Sequence, residues 1–106
     1  MSRPVRTWSL SLLVVCLALP ALAQSGSETF NSKCAMCHGA NGLGQTPMAR
    51  TLTIPSFKSP DLLKASNATL VDAVTHGKGK MPAYGGFLND AQIKAVVAYI
   101  RTLQKK

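Results

Sequence analysis

A five-residue motif, Cys34-Ala35-Met36-Cys37-His38, constrains the fold of this chain more than any other segment. Two thiols three positions apart, followed at once by a histidine, form the attachment pattern for c-type haem. Each thiol can add across one vinyl group of the porphyrin, and the adjacent imidazole can then ligate the iron from one face. The motif therefore predicts that Cys34 and Cys37 bind haem c covalently and that His38 is an axial ligand.

The same cysteines admit three other interpretations. A thioredoxin-like redox pair uses this spacing in a strand-helix setting, but the flanking sequence has no strand pattern and no βαβ alternation. A zinc site needs four N, S or O ligands, whereas the chain beyond the motif offers only His76 and methionines, whose thioethers suit iron or copper better. The third interpretation gives these residues no special role. Haem attachment is favoured over all three.

The N-terminus has the composition of an export signal, which fits a haem attached outside the cytoplasm. Arg3 and Arg6 form a positive n-region, Trp8 to Leu19 form an apolar run, and Ala21-Leu22-Ala23 is a small-x-small cleavage pattern. The alternative is a retained anchor, but the run is shorter than the roughly 18 apolar residues of a membrane span. We expect residues 1–23 to be a cleaved signal peptide and the protein to be periplasmic.

The predicted mature chain, residues 24–106, forms one small domain. Cleavage removes Cys16, and the loss of Arg3 and Arg6 lowers the formal net charge from +8 to +6. With only the two motif cysteines left, no structural disulfide supports a core of this size. A covalently held porphyrin supplies a large apolar surface to pack around, so we expect the chain without haem to be poorly structured.

The mature chain is predicted to be all-α, because helix signals alternate with glycine and proline and no alternating run is long enough for a strand. We expect a first helix to start near Ser27 and to run into the haem motif. A glycine-rich segment, Asn41–Gly44, ends it. Residues 45–59 contain two prolines and predict a long loop, after which Pro60 opens a short helical turn.

Two more helices follow in the second half of the chain. Ser66 or Asn67 is suited to cap the first of them, and Gly77 is suited to end it. Asn89 and Gln92 resemble a capping box at the start of the last helix. The apolar residues of that helix recur at helical spacing: Ile93, Val96, Val97, Ile100 and Leu103.

The second axial ligand decides between an electron carrier and a catalyst or gas binder. Met81 has the best setting, because it follows a Gly-Lys-Gly-Lys segment and precedes Pro82, which limits the local backbone. Met48 and His76 are the alternative ligands. For His76, a charged imidazole at a helix C-terminus is the simpler interpretation, and for Met81 the simpler one is a methionine that fills a gap in the core.

With these motifs the sequence resembles a small soluble class I cytochrome c over essentially the whole mature chain. Gly26 and Phe30 resemble the glycine-x-x-x-aromatic pattern of the family's first helix, and Val96 and Tyr99 match the partner positions on its last helix. His38 and Met81 match its axial ligands. The resemblance implies an all-α class I cytochrome c fold, with three to four helices around one covalently attached haem and the first and last helices crossing.

The resemblance also implies contacts around the haem. Pro47 resembles the loop proline whose carbonyl accepts a hydrogen bond from the proximal imidazole. Tyr84 matches a position near a haem propionate, with a surface or core tyrosine as the alternative. The propionate ligands stay unassigned, with Arg50 as a candidate, because the loop between the proximal and distal regions is short compared with mitochondrial-type members.

A six-coordinate iron has no open position for substrate, so the expected function is periplasmic electron transfer between redox proteins, without enzymatic activity. Lys33, Lys78 and Lys80 predict a positive rim that steers acidic partners; ordinary solvated lysines are the alternative. We expect no nucleic-acid partner and no membrane span in the mature chain, which would be a monomer or a complex subunit. The alternative functions are a haem subunit of a larger dehydrogenase or oxidase, and a peroxidase or gas sensor with labile Met81.

Overall fold

The computed structural model describes residues 2–5 and 19–106, with side chains described at 2–5 and 26–106. Most of the predicted signal peptide, including Arg6, Cys16 and the apolar run up to Ala18, lies outside the described residues.

Six helices make up the regular structure of the described residues: α1 Leu19–Lys33, α2 Ala35–His38, α3 Pro47–Leu52, α4 Pro60–Lys64, α5 Asn67–His76 and α6 Asp90–Gln104. This part of the chain contains no strand, only one isolated antiparallel bridge between Lys78 and Met81. The all-α fold class is confirmed. The expected count of three to four helices is too low, because three segments of only 4 to 6 residues also close hydrogen-bonded helical turns.

Helix α1 begins earlier than expected. It starts at Leu19 and not near Ser27. The second residue of the helix is Pro20, which is tolerated in a first turn because the N–H it lacks has no partner there. Residues 21–24 are Ala, Leu, Ala and Gln, all good helix formers, so nothing in the sequence ends the helix between Pro20 and Ser27.

The loop predicted for residues 45–59 contains a helix. The Thr46 side chain caps α3 by accepting a hydrogen bond from the Ala49 N–H at 3.0 Å, and Pro47 is the first helical residue. Proline at that position fits the first turn of a helix as well as it fits a loop, so reading it only as a loop residue was wrong. The helix buries Ala49.

The predicted boundaries of the last two long helices are confirmed. Ser66 caps α5 by accepting from the Thr69 N–H, and Gly77 with φ +76° ends it. Asn89 and Gln92 form a reciprocal capping box at the start of α6, with both hydrogen bonds at 2.9 Å. All five residues of the predicted α6 stripe are buried.

Helices α1 and α6 cross where Gly26 meets the backbone of Ala95. A Cβ at position 26 would lie 2.8 Å from the Ala95 carbonyl carbon, closer than real Cβ contacts allow. Phe30 fills the crossing with its ring centroid 5.3 Å from that of Tyr99, in a tilted arrangement. The predicted crossing of the first and last helices is therefore present: Ala95 makes the backbone contact to Gly26, and Val96 is buried in the same cluster as Phe30.

The core consists of two apolar clusters. The first contains Phe30, Phe57, Val96, Ile100 and Leu103, and the second contains Val74, Leu88, Ile93 and Val97. Helix α6 contributes to both, because its buried stripe runs along most of the helix, from Ile93 to Leu103. The last helix thus joins the α1 side of the domain to the α5 side.

Arg101 and Gln104 tie α6 to the segment that contains α4. Arg101 donates to Asn67 Oδ1 at 2.8 Å and to the carbonyls of Leu62 and Ala65. Gln104 Nε2 donates to the Phe57 carbonyl at 2.9 Å. These bonds satisfy backbone carbonyls at the ends of short helices, which have no N–H partner within a helix.

None of the helices in the described part of the chain is long and apolar enough to cross a membrane.

Candidate haem site

The attachment motif follows α1 directly: Cys34 joins the two helices and Ala35–His38 form the short helix α2. The Cys34 N–H donates to the Phe30 carbonyl at 2.8 Å, and the His38 N–H donates to the Cys34 carbonyl at 3.0 Å. This continuous hydrogen bonding places both thiols and the imidazole on a short rigid segment. Cys34 also packs against the first apolar cluster, so the proximal residues are anchored to the α1–α6 crossing.

The segment after the motif folds back and holds the motif in place. The Gly44 N–H donates to the His38 carbonyl at 2.9 Å, and the Thr46 hydroxyl donates to the Cys37 carbonyl at 2.7 Å. Thr46 therefore has two roles, since its oxygen also caps α3. The predictions for the site did not include Thr46, although a threonine directly before a proline is a common helix start.

The His38 ring stacks on Phe57. Their ring centroids are 4.7 Å apart and their planes differ by 26°. His38 Nδ1 is buried and has no hydrogen-bond partner among the residues that the structure describes. Burial lowers the pKa of the imidazole, which favours the neutral form that can bind a metal.

The expectation for Pro47 is wrong in this structure. Its carbonyl accepts a hydrogen bond from the Thr51 hydroxyl at 3.1 Å, inside α3, and the His38 imidazole is not its donor. Pro47 is exposed at the start of α3, whereas Pro55 lies at the cavity beside His38.

Met81 is positioned by a tight turn that follows α5. The Lys78 N–H donates to the Met81 carbonyl at 3.2 Å, and the Met81 N–H donates to the Lys78 carbonyl at 2.9 Å. Gly77 lets this turn pack closely, because a Cβ there would lie 2.6 Å from the Met81 carbonyl oxygen. The Met81 side chain packs against the second apolar cluster.

The predicted site residues meet at one cavity of about 360 Å³. Cys34, Cys37, His38 and Met81 all line it. Its other walls are mostly apolar and come from both clusters and from the loop after α3, including Leu52, Ile54, Pro55, Phe57, Leu62, Leu70, Val74, Pro82, Tyr84, Val96 and Ile100. The polar groups of the cavity are few and mostly belong to the motif or to lysines.

The residues of this cavity fit a covalently bound haem. Two thiols, an imidazole and a thioether are the donors that haem attachment and iron ligation need, and the apolar walls suit a porphyrin. Burial raises the pKa of the Cys34 thiol to about 11, nearby Cys37 adds to the increase, and Lys33 opposes it. The Cys34 thiol is therefore neutral at physiological pH before attachment.

The other candidate ligands lie elsewhere. Met48 is 40% exposed on α3, and the wall that the described residues form around the cavity includes neither Met48 nor His76. His76 Nδ1 lies 2.8 Å from Asp72 Oδ1 in an exposed pair on α5. Arg50 is exposed on α3 and is also outside that wall. Of the three candidate distal ligands in the described part of the chain, Met81 alone lines the cavity with the motif.

Tyr84 lies at the cavity and connects its two sides. Its hydroxyl donates to the Lys33 carbonyl at 3.2 Å, and its N–H donates to the Val74 carbonyl at 2.9 Å. Burial raises the pKa of Tyr84, with smaller contributions from Cys34 and Cys37. The tyrosine thus links the end of α1 to the segment that carries Met81.

Three exposed lysines surround the cavity. Lys33, Lys78 and Lys80 all contribute to its lining, from the end of α1 and from the turn before Met81. The sequence predicted a positive rim formed by these residues, and all three line the same cavity. Like charges clustered around one cavity make the electrostatic potential there more positive than the net charge of the protein alone would.

Fold and site together define a small all-α haem-binding domain. The chain matches a family model described as cytochrome c oxidase, cbb3-type, subunit III, over residues 21–100. It is 40% identical to cytochrome c6 of Leptolyngbya boryana over 78 residues, which cover 74% of this chain and 88% of that protein. It is 39% identical to the cbb3-type cytochrome c oxidase subunit FixP of Azorhizobium caulinodans over 76% of this chain, but only 27% of FixP is covered.

A solved structure shows the same fold. The KustC0563 c-type cytochrome aligns with a TM-score of 0.68, at 22% identity, over 74% of this chain and 96% of that one. The chain belongs to the c-type cytochrome family, as a small class I member that carries covalently bound haem c.

Proposed function

We propose that this protein is an exported electron shuttle in which Cys34 and Cys37 hold the haem and His38 and Met81 ligate its iron. When bound, the haem supplies an iron centre that accepts and releases one electron at a time. The observation that carries the proposal is the meeting of the motif with Met81 at one apolar cavity. The motif packs against the first apolar cluster and Met81 packs against the second, so neither ligand depends on the other for its position.

The cavity favours electron transfer over catalysis. With His38 and Met81 as its two protein ligands, the iron would have no position left for a substrate. Apolar walls exclude water from the site and hold the donors rigidly, so little reorganisation accompanies a change of charge. Thioether ligation and an apolar pocket also favour the ferrous state, toward the oxidising end of the haem range.

The proposal includes export and removal of residues 1–23. Helix α1 runs through the proposed cleavage site after Ala23 in the full chain. Cleavage there keeps Gly26 and Phe30, the residues that meet α6. Mass spectrometry of protein purified from a periplasmic extract tests this step, because the mature chain must start at Gln24 and carry one haem.

The proposed partners are redox proteins with acidic surfaces. Lys33, Lys78 and Lys80 are the groups that would meet them, since all three are exposed and line the cavity. An electron needs only a short path from an exposed haem edge, and attraction between the lysines and carboxylates brings that edge toward the partner.

A second candidate function is electron transfer as a permanent subunit of a larger oxidase. The match to the cbb3-type subunit III model favours it. The same haem chemistry would then operate within a complex. Sedimentation analysis of protein isolated from its native membranes and periplasm separates the two: a free monomer supports the shuttle, and co-purification with an oxidase supports the subunit.

An optical spectrum with a redox titration tests the axial ligands. We expect a low-spin ferric form with the thioether charge-transfer band and a single one-electron wave. A high-spin ferric form without that band would contradict the proposed role of Met81 and would favour the alternative of a peroxidase or gas sensor.

A further inference from the structure

We infer that Tyr84 is a positioning residue whose hydroxyl, through its hydrogen bond to the Lys33 carbonyl, restrains Met81 from dissociating from the iron. This role rests on the proposed ligation of the iron by Met81. The hydrogen bond measures 3.2 Å and joins residues that are 51 positions apart in the chain. It therefore connects the end of α1 to the segment that carries the proposed distal ligand.

The segment around Met81, residues 77–88, has its other hydrogen bonds within itself and on the α5 side. The Tyr84 N–H donates to the Val74 carbonyl at 2.9 Å, and the next N–H donates to the Thr75 carbonyl at 3.0 Å. Among the residues that the structure describes, the Tyr84 hydroxyl makes the one hydrogen bond from this segment to α1 or α2.

This bond is important because the two proposed ligands are anchored to different apolar clusters. The motif packs against the first cluster through Cys34, and Met81 packs against the second. Helix α6 joins the two clusters. The distance between the ligands therefore depends on α6 and on the Tyr84 hydroxyl, and without the hydroxyl the described hydrogen bonds would tie residues 77–88 to α5 alone.

The Lys33 carbonyl is free to accept this bond because the helical hydrogen bonding changes at Cys34. In a continuous helix the Cys37 N–H would donate to Lys33, but here it donates to the Cys34 carbonyl at 3.2 Å. A carbonyl at a helix end is satisfied by a side chain or by water. The half-buried Tyr84 ring packs against the second cluster, which fixes the hydroxyl beside Lys33.

The expected consequence is a smaller population of protein in which Met81 has left the iron. Added imidazole binds the ferric iron only in that population, so its apparent affinity is proportional to the population. The net contribution of one hydrogen bond changes such a population by roughly three- to tenfold. A purely structural contribution of the hydroxyl would lower stability without changing the affinity for imidazole.

The test compares Tyr84→Phe with Tyr99→Phe in the haem-loaded ferric protein. Each variant loses one hydroxyl and keeps the ring, and Tyr99 packs against the first cluster at a position outside the cavity wall. We expect Y84F to bind imidazole roughly three- to tenfold more tightly than wild type. The limiting rate of imidazole binding, which reports Met81 dissociation, should rise as well. Y99F should match wild type in both measurements.

Equal imidazole affinity in Y84F and wild type, or an equally large increase in Y99F, would overturn the inference. A crystal structure of the haem-loaded wild type covers the case in which Y84F does not fold. We expect the Tyr84 hydroxyl to donate to the Lys33 carbonyl there, and a hydroxyl bonded to a haem propionate instead refutes the role. A ferric wild type without the thioether charge-transfer band contradicts the ligation by Met81 itself, a result distinct from an intact band with an imidazole affinity that is insensitive to Y84F.

Discussion

Met81 shows how one residue acquires a functional position from its immediate backbone. The turn that holds it is closed by two hydrogen bonds between Lys78 and Met81, at 2.9 and 3.2 Å. Gly77 ends α5 and leaves space for the Met81 carbonyl. Because the side chain also packs against a buried cluster, the thioether is held in place before any ligand binds.

Replacing Met81 by alanine tests its role as the distal ligand. We expect the haem to stay attached, the reduction potential to fall by roughly 0.1–0.3 V within the roughly 0.8 V range that axial ligands control, and added imidazole to bind the iron. Voltammetry and optical titration measure these effects. Met48→Ala, at an exposed position on α3, is the control and should change neither property. An unchanged reduction potential in M81A would show that Met81 does not ligate the iron.

The two long terminal elements form the frame to which the site is attached. Helix α1 ends directly before the attachment motif, and α6 contributes residues to both apolar clusters. Their close approach at Gly26 brings the backbone of α1 against Ala95. The position of the haem motif relative to the second cluster thus depends on how tightly these two helices pack.

A Gly26→Ala substitution tests this close approach. The added Cβ would lie 2.8 Å from the Ala95 carbonyl carbon, so the helices must separate. We expect the free energy of unfolding of the holoprotein to fall by about 1–3 kcal/mol, measured by denaturant titration. Gly86→Ala is the control, since a Cβ there meets nothing within 4 Å, and it should change stability by less than about 0.5 kcal/mol. Equal losses in both variants would contradict the packing argument.

The Arg101 network tests how α6 is joined to the short helices. Arg101→Met keeps an apolar chain of similar length but leaves the Ala65 carbonyl without its side-chain donor and the Leu62 carbonyl with Gln104 Nε2 alone. We expect a loss of about 1–3 kcal/mol in the free energy of unfolding, because partly buried acceptors lose their bonds. Lys94→Met on the exposed face of the same helix is the control, with a change of less than about 0.5 kcal/mol. If R101M has the same free energy of unfolding as the wild type, water replaces the hydrogen bonds of the guanidinium.

For the molecule as a whole, the cavity lies between the two halves of the core. Both apolar clusters contribute to its walls. Without a porphyrin these walls have less to pack against, and a chain of this size has little other core to compensate. Folding and haem attachment are therefore expected to be coupled.

The Cys34→Ser, Cys37→Ser double variant tests this coupling by preventing covalent attachment. We expect low helicity and a broad melt in circular dichroism, in contrast to the cooperative melt of the holoprotein. Denatured holoprotein that is diluted back to native conditions is the control, because its haem stays attached and it should refold fully. A helical, cooperative melt of the variant without haem would contradict the prediction.

The charge distribution of the whole molecule sets the association kinetics. Reversing two rim charges with Lys78→Glu and Lys80→Glu should slow electron transfer with an acidic redox partner by roughly tenfold or more at low salt, and the difference should vanish at high ionic strength. Stopped-flow rates measure this effect. Lys64→Glu with Lys94→Glu makes the same change in net charge at exposed positions outside the cavity wall. Equal slowing by both pairs would leave net charge, and not the rim, as the cause.

Several features of the fold and site were predictable because they depend on short-range spacing. The order Cys34, Cys37, His38 fits one helical turn, the capping box of Asn89 and Gln92 is local, and the apolar residues of α6 recur at helical spacing. The helix start at Pro47 was missed because the same residue suits a loop and a first helical turn.

What the amino-acid sequence determined by itself was the haem motif, the all-α class and the last helix, since each is encoded within a few turns of chain. Only the tertiary structure decided that Met81, and not Met48 or His76, lies at the cavity of the motif. The tertiary structure also decided that His38 stacks on Phe57. These contacts join segments that are distant in sequence, and their formation depends on how the helices pack around the shared cavity, which no local pattern records.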